Sequence, residues 1–330
     1  MGRAVDGWAD DRERQKMNPP EISIVIPVFN EAPNLEALHR RLKTTLDGLG
    51  RPYEVIFVDD GSADGSLAIL KHLGAQHPEV VVVELSRNFG QHAAIFAGFA
   101  QVRGKVVVTL DADLQNPPEE IPKLLAKIEE GCDAVGGWRR RRRDTWFRRW
   151  ASRQVNRVMS RVTGMALHDY GCMLRAYRRE IVDQMAQCRE ISSFIPALAN
   201  LFARRVEEVE VEHAEREGGD SKYGLFKLLK LNFDLMTGFS LAPLQWVSWL
   251  GVLIALCGVL FGLFLFVRRL IVGPEVEGVF TLFAILFVFV GLQLLALGLM
   301  GEYIGRIYAE VRQRPRYVIR QVYRREEGGR

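Results

Sequence analysis

The chain has little cysteine. Cys132, Cys172, Cys188 and Cys257 are scattered through 330 residues with no C-x-x-C pair. This excludes a cysteine zinc site or a disulfide framework, and reduced thiols of a cytoplasmic environment are the plain reading. No G-x-G-x-x-G follows the first strand-like run and no G-x-x-x-x-G-K-[ST] occurs, so neither a dinucleotide site nor a P-loop is supported. Met1 to Pro20 is polar and lacks an apolar core, so it reads as a poorly ordered leader rather than a signal peptide. Charge is missing from two places: Ala242 to Val267 and Gly278 to Gly301 contain no Asp, Glu, Lys or Arg. Each run exceeds the ~20 apolar residues needed to cross a bilayer as a helix. A net charge of +4 is too small a basic excess to argue for nucleic acid. The expectation is a membrane protein with a soluble part in front.

Basic residues set the expected topology. Arg306, Arg312, Arg314, Arg316, Arg320, Arg324, Arg325 and Arg330 follow the second run, whereas Arg268 and Arg269 between the runs are balanced by Glu275 and Glu277. Lys and Arg accumulate on the cytoplasmic side. Two spans put both chain ends there and the short loop outside. The alternative is a hairpin buried in a soluble core, which two uncharged runs of this length seldom form.

The preceding part alternates short apolar runs with helical stretches. Ile22–Pro27, Tyr53–Val58, Val80–Leu85, Lys105–Leu110 and Cys132–Gly136 read as strands. Pro33–Leu49, Leu67–Leu73, Gln91–Gln101 and Glu119–Glu130 read as helices, and Val206–His213 alternates like an edge strand. Such alternation predicts an α/β sheet with right-handed crossovers, which binds ligands at the C-terminal ends of its strands. The polar motifs fall at those ends: Asn30-Glu31 after the first, Asp59-Asp60-Gly61-Ser62 after the second, Asp111-Ala112-Asp113 after the fourth. Asp111 and Asp113, with Gln115 close behind, can hold Mg²⁺ or Mn²⁺ through hard oxygen ligands. A metal there typically bridges to a nucleotide diphosphate and neutralises the charge on a departing phosphate. An acidic pair in a turn is the bland alternative.

Trp138, Arg139 to Arg143, Arg148 and Trp150 mix guanidinium with indole, which suits anionic head groups at a membrane surface; a solvated basic face or a nucleic-acid patch are the other readings. Tyr223–Phe239 is amphipathic and reads either as an interfacial helix or as one packed on the soluble domain. His92 and His168 read as ordinary histidines rather than catalytic ones.

Ile24 to Glu31, Val58 to Ser62 and Asp111 to Gln115 resemble the processive and polyprenyl-phosphate branches of the family-2 glycosyltransferases. Longer stretches add to this: Ser86 to Ala94, Asp111 to Pro122, Asp169 to Arg179, His213 to Tyr223 and Gly301 to Tyr308. Together they are similar to the undecaprenyl-phosphate 4-deoxy-4-formamido-L-arabinose transferases of lipid A modification and the antibiotic resistance it confers. The resemblance spans nearly all of Ile22 to Tyr317, although the Met1–Pro20 leader and the density of arginine at Arg140-Arg141 depart from the pattern.

The resemblance implies an α/β GT-A nucleotide-sugar-binding domain with a mostly parallel sheet, amphipathic interface helices and two C-terminal transmembrane helices. The implied division is 1–20 leader, 21–222 cytoplasmic GT-A domain, 223–241 juxtamembrane helix, 242–267 first span, 268–277 periplasmic loop, 278–301 second span and 302–330 basic cytoplasmic tail. It implies inverting sugar transfer from a UDP-sugar to undecaprenyl phosphate at the bacterial inner membrane, by a homo-oligomer, with no nucleic acid involved. Glucose or N-acetylglucosamine as the sugar remains an alternative, as does a non-catalytic nucleotide-sugar-binding membrane protein.

Carried over residue by residue, Pro27, Phe29, Glu31, Asp59, Asp60, Arg87, Asn88, Ala112 and Gln115 bind the UDP-sugar. Asp111, Asp113 and Gln115 hold the metal. Arg139, Arg142, Arg148, Arg216, Ser221 and Lys222 meet the acceptor phosphate and the diphosphate. Asp169 joins Asp111 and Asp113 as a catalytic candidate, as an orienting residue or weak base; a turn aspartate is its other reading. A phosphate acceptor is mostly dianionic near pH 7, since its second pKa is ~6. The site therefore needs positive charge to bring two anions together more than it needs a base.

Overall fold

The computed structural model describes residues 19–139, 172–188, 195–212, 242–272, 279–312 and 314–325. The chain forms two units, Met1–Lys222 with Pro315–Arg330, and Tyr223–Arg314.

In the first unit, strands β1 (Ile22–Val28), β2 (Tyr53–Asp59), β3 (Val80–Leu85) and β4 (Val106–Thr109) alternate with helices α1 (Ala32–Asp47), α2 (Ser66–Gln76) and α3 (Gln91–Phe99). A 3₁₀ turn, Pro118–Glu120, leads into α4 (Ile121–Glu129). Then come β5 (Ala134–Arg139), β6 (Arg175–Arg178), α5 (Arg179–Gln187), α6 (Ile195–Phe202), β7 (Val206–Val211) and, after the second unit, β8 (Ile319–Arg324). The eight strands form one sheet in the order β7-β5-β6-β4-β1-β2-β3-β8. Only β6 and β8 run against the others. The expected α/β sheet is borne out, with Val206–Val211 at an edge.

Side-chain alternation explains the layers. Ile22, Ile24, Ile26 and Val28 face one way and pack on Leu35, Leu38, Leu42 and Leu46 of α1. Val25 faces the other way, onto Ile95, Phe96 and Phe99 of α3. Successive strand residues point to opposite faces, and a sheet covered on both faces carries unbroken apolar strands rather than alternating ones.

Pro27 opens the sheet. The Val25 carbonyl accepts from Leu110 N at 3.1 Å, so this side of β1 faces β4. Two residues on, Pro27 has no N–H to offer to that side. The β1–β4 ladder stops at Val25–Thr109, while the β1–β2 ladder continues to Val28–Asp59. The two strands flanking this gap leave in opposite directions across the sheet, which is the crevice where open α/β sheets take ligands.

The second unit contains α7 (Ala242–Val272, 31 residues) and α8 (Val279–Val311, 33 residues). Both are long and apolar enough to cross a membrane. Trp249, Leu256, Ile271, Phe287 and Leu295 stand exposed along them. These helices outrun the uncharged runs of the sequence, 242–267 and 278–301. Arg268 and Arg269 end the apolar stretch but, as good helix formers, not the helix.

The segment expected as a basic tail is structured in part. Ile319–Arg324 pairs antiparallel with β3 and closes that side of the sheet. A buried carboxylate holds it: Glu84 accepts from Tyr323 Oη at 2.7 Å and pairs with Lys71 at 3.2 Å and Arg320 at 3.0 Å. Lys71 also lies 4.4 Å above the Tyr323 ring. Burial raises the Glu84 pKa, but Tyr323, Lys71 and Arg320 together outweigh it and hold the carboxyl below the ordinary glutamate value. The resulting stability is fully present above that ordinary value and is lost as pH falls through the lower folded one. Tyr323→Phe should cost about 1.5 kcal/mol, the scale of a hydrogen bond to a charged group. Glu84→Gln should flatten the acid limb of stability against pH. Thermal melts of the purified protein between neutral and acid pH check both, and an unchanged acid limb in Glu84→Gln would assign the sensitivity elsewhere.

Candidate active site

Six of the eight strands run the same way, so their C-terminal ends share one edge of the sheet. Pro27 to Glu31 and Asp59-Asp60 span the ends of β1 and β2, Asp111 to Gln115 follow the end of β4, and Arg87 and Asn88 follow that of β3. Hydrogen bonds stitch these loops into a continuous rim. Asn30 N donates to Ser62 Oγ at 3.0 Å, and Ala63 N donates to Asn30 Oδ1 at 2.8 Å. Glu31 N donates to Ser66 Oγ and Ala32 N to Asp64 Oδ2, each at 3.0 Å. These four bonds join the loop after β1 to the loop after β2. Asn30 sits at φ +56°, a left-handed conformation that asparagine tolerates better than most residues.

Asp60 joins the loop after β2 to the loop after β3. It is buried, and its two carboxylate oxygens accept from Phe89 N at 2.7 Å and Gly90 N at 2.9 Å. Burial, helped by the charge of Asp59, outweighs those donors and leaves its carboxyl above the ordinary aspartate value. Asp59 is also buried. Its Oδ2 accepts from Ser62 N at 3.3 Å, and its Oδ1 is buried without a hydrogen-bond partner among the described residues. Burial raises this carboxyl as well. The two loops also touch backbone to backbone. Gly61 has φ +72°, and a Cβ there would stand 2.7 Å from Asn88 N and 2.8 Å from Arg87 C.

Gln91, at the start of α3, closes the rim. Its Nε2 donates to Asp111 Oδ1 at 2.6 Å. Asp111 and Asp113 are both partly exposed, as is Gln115, whose N–H donates to Asp113 Oδ1 at 3.1 Å. Leu114 between them is held at φ +60°, a conformation that costs a bulky residue roughly 1–2 kcal/mol. Ala112 and Asn116 are buried beneath. Two carboxylates that reach solvent, beside an amide oxygen, form a hard-oxygen donor set. That set fits Mg²⁺ or Mn²⁺, ions that take one or two carboxylates and complete their shell with phosphates and water.

The remaining candidates divide by position. Phe29 is exposed on the loop after β1, and Glu31 accepts from Asn34 Nδ2 at 2.6 Å. Arg87 is exposed, with its guanidinium 4.3 Å above the Phe89 ring, and Asn88 is exposed beside it. Arg139 ends β5 at the same edge of the sheet. Asp169, Arg142, Arg148, Arg216, Ser221 and Lys222 lie outside the described residues, as do Arg140 to Arg143 of the basic stripe and the amphipathic stretch 223–239. Sequence reasoning did not single out Asp64, Ser66 or Gln91. Asp64 and Ser66 were visible as turn residues and Gln91 as the start of a helix, but only the crossing of segments distant in sequence shows what they hold.

Residues 23–186 match the model of the family described as Glycosyl transferase family 2. Over those residues the chain is similar to the family-2 glycosyltransferases, and its α/β fold is the GT-A fold. Solved structures with partial likeness include glucosyl-3-phosphoglycerate synthase from Mycobacterium tuberculosis in complex with Mn²⁺, uridine diphosphate and phosphoglyceric acid. It is 18% identical, with 72% of this chain and 82% of that chain covered and a TM-score of 0.47. A mannosyltransferase from Pyrobaculum calidifontis in complex with GDP-Man and Mn²⁺ is 20% identical, with 64% of each chain covered and a TM-score of 0.43. TarS 1-349 of S. aureus is 17% identical, with 66% of this chain and 65% of that chain covered and a TM-score of 0.42.

The Gly61 contact can be tested directly. Gly65 also has a positive φ, +94°, but a Cβ there would meet nothing within 4 Å. Gly65→Ala should cost about 1 kcal/mol for backbone conformation alone. Gly61→Ala should cost a further 1–3 kcal/mol, roughly, for forcing two loops apart. Paired thermal melts check this, and equal losses would mean that the loops yield freely.

Proposed function

We propose that this protein is an inverting membrane glycosyltransferase that moves a sugar from UDP to undecaprenyl phosphate. The observation that carries this reading is the rim itself: Asp111 and Asp113 beside a crevice opened by Pro27, in a domain whose chain continues into two long apolar helices. The motifs shared with the 4-deoxy-4-formamido-L-arabinose transferases favour that sugar, which would place the product in lipid A modification.

The uridine side of the site is formed by Pro27, Phe29, Glu31 and Asp59, with Arg87, Asn88 and Ala112 bordering it. A buried oxygen with no partner among the described residues, Asp59 Oδ1, suits a nucleoside donor group, because such an atom otherwise costs its full desolvation penalty. Asp60 contributes chiefly by holding the loop that follows β3. Asp111, Asp113 and Gln115 would hold a divalent cation, Mg²⁺ or Mn²⁺, which when bound neutralises charge on the diphosphate.

An oxygen of the lipid phosphate attacks the anomeric carbon from the face opposite the diphosphate. The new C–O bond forms as the bond to UDP breaks, which inverts the centre. No base need remove a proton from a dianionic phosphate, so Asp169 is assigned an orienting role. Arg139, Arg142 and Arg148 draw in the acceptor phosphate, and Arg216, Ser221 and Lys222 cover the diphosphate. Guanidinium forks suit this, because each pairs with phosphate through two parallel hydrogen bonds.

The exposed apolar sides of α7 and α8 take lipid, since apolar patches of this extent mark interaction surfaces. Because β8 returns to the sheet that precedes the helices, both ends of the two-helix segment share one side of the bilayer. With the arginines that follow α8, that side is cytoplasmic. The division into a domain over 21–222, a juxtamembrane segment over 223–241 and two spans follows the same reading, and a homo-oligomer is part of it.

Purified full-length protein with undecaprenyl phosphate and a panel of UDP-sugars tests the reaction. UDP should be released with the 4-deoxy-4-formamido-L-arabinose donor and only when the lipid phosphate is present. Release with UDP-glucose or UDP-N-acetylglucosamine instead would reassign the sugar, and release from none would overturn the proposal. Chelation should abolish turnover, and Asp113→Asn should lower it by ~10²-fold or more, the scale of losing one electrostatic stabiliser.

Topology is tested in intact cells. Val276→Cys should react with an impermeant thiol reagent, and Gly329→Cys should not. The reverse pattern would invert the orientation.

A further inference from the structure

A second cluster of metal-binding side chains lies far from the Asp111–Asp113 rim. His39 is on the buried face of α1, His77 is the residue that ends α2, and Glu79 immediately precedes β3. The Glu79 carbonyl accepts from Val55 N at 2.9 Å, which places it toward the start of the parallel strands, at the opposite end from Asp59, Asp60 and Asp111. One ligand atom from each of the three side chains lies within 4.8 Å of the others. The two imidazole centroids are 4.3 Å apart with planes tilted by 44°, and His77 Nδ1 is 3.5 Å from Glu79 Oε1.

We propose that His39, His77 and Glu79 form a binding site for a divalent transition metal such as Zn²⁺, separate from the nucleotide-sugar site. Two imidazole nitrogens and one carboxylate suit Zn²⁺, Ni²⁺ or Cu²⁺, and suit poorly the oxygen-seeking Mg²⁺ expected at Asp111 and Asp113. Around tetrahedral zinc, with bonds of about 2.0–2.1 Å, ligand atoms stand about 3.3 Å apart. The three side chains therefore need to close by at most roughly 1.5 Å. His39 is buried and fixed by its helix, while His77 and Glu79 are partly exposed and can make that movement.

One cation competes. Lys43 Nζ lies 3.3 Å from Glu79 Oε1. It is also 3.2 Å from Asp47 Oδ2, so it keeps a carboxylate partner when Glu79 turns to the metal. Asp47 is itself fixed by Tyr53 Oη, which donates to its Oδ1 at 2.7 Å. The bound metal would tie α1, the end of α2 and the entry to β3 together on one face of the sheet.

The test uses tag-free full-length protein carrying Asp113→Asn, so that the rim carboxylates add no second event. Zn²⁺ is titrated by calorimetry, and Co²⁺ by the intense visible band of a tetrahedral centre. The expected result is one equivalent of metal, tetrahedral Co²⁺ absorption and a raised melting temperature, since a ligand of the folded state stabilises it by mass action. His77→Ala and Glu79→Gln should each weaken binding at least about tenfold, the scale on which metal sites respond to lost partners. Lys43→Gln should tighten it, by roughly 3- to 10-fold, because a cation beside the site is removed. His72→Ala, five residues before His77 on the exposed side of α2, should change nothing. Failure to bind Zn²⁺, unchanged affinity in His77→Ala, or loss in His72→Ala with His77→Ala intact would each overturn the proposal.

Discussion

Two backbone N–H groups, of Phe89 and Gly90, donate to the buried carboxylate of Asp60, and the arrangement of the whole rim depends on them. A carboxylate withdrawn from water must be fully hydrogen-bonded, or its desolvation makes it a liability. Here its partners come from a loop almost thirty residues away, and pairing them brings the loops after β2 and β3 into backbone contact at Gly61. Gly90 then leads directly into α3, whose first residue, Gln91, reaches Asp111. One buried carboxylate thereby sets the position of the acidic pair across two intervening strands, β2 and β1.

Opposing demands meet at this edge of the sheet. Close-packed loops fix Asp59, Asp60 and Asp111, yet burial pushes the first two above the ordinary aspartate range. Several carboxylates held near one another are unfavourable without positive charge. The reaction proposed for the site brings that charge with the divalent cation and the arginines that meet the phosphates. Strain at Leu114, between the acidic pair and Gln115, belongs to the same pattern, in which unfavourable backbone conformations persist where the surrounding packing over-determines them.

The other edge of the sheet is closed by a strand that arrives after the two apolar helices. Glu84 pays for its own burial by gathering Tyr323, Lys71 and Arg320. Val318 continues this attachment, accepting from Ser86 N at 2.9 Å at the base of the loop that carries Arg87 and Asn88. Arg316 stacks 4.5 Å over Phe96 of α3 and also donates to the Cys188 carbonyl. The residues that follow the membrane-type helices are therefore built into the domain on the side of the loop after β3.

Local pattern alone determined a good deal here. Apolar strand runs between helical stretches specify an α/β sheet, because strand and helix periods differ and each must bury its apolar side. Asn30-Glu31, Asp59-Asp60-Gly61-Ser62 and Asp111-Ala112-Asp113 at the strand ends point to where a ligand would bind. Charge-free runs longer than a bilayer is thick are equally visible. β8 was not legible: Arg320, Gln321, Tyr323 and Arg324 make the segment too polar to read as a strand, and only pairing with β3 and the Glu84 cluster makes one. The cluster of His39, His77 and Glu79 was hidden for a similar reason, since an isolated histidine in a helix has no periodic signature. The function of Asp60 as a clamp, of Gln91 as a contact to Asp111 and of Pro27 as the point where the sheet opens depends on which strands become neighbours. Tertiary structure alone decided those, because hydrogen bonds between segments twenty or more residues apart exist only once the chain has crossed the sheet and returned.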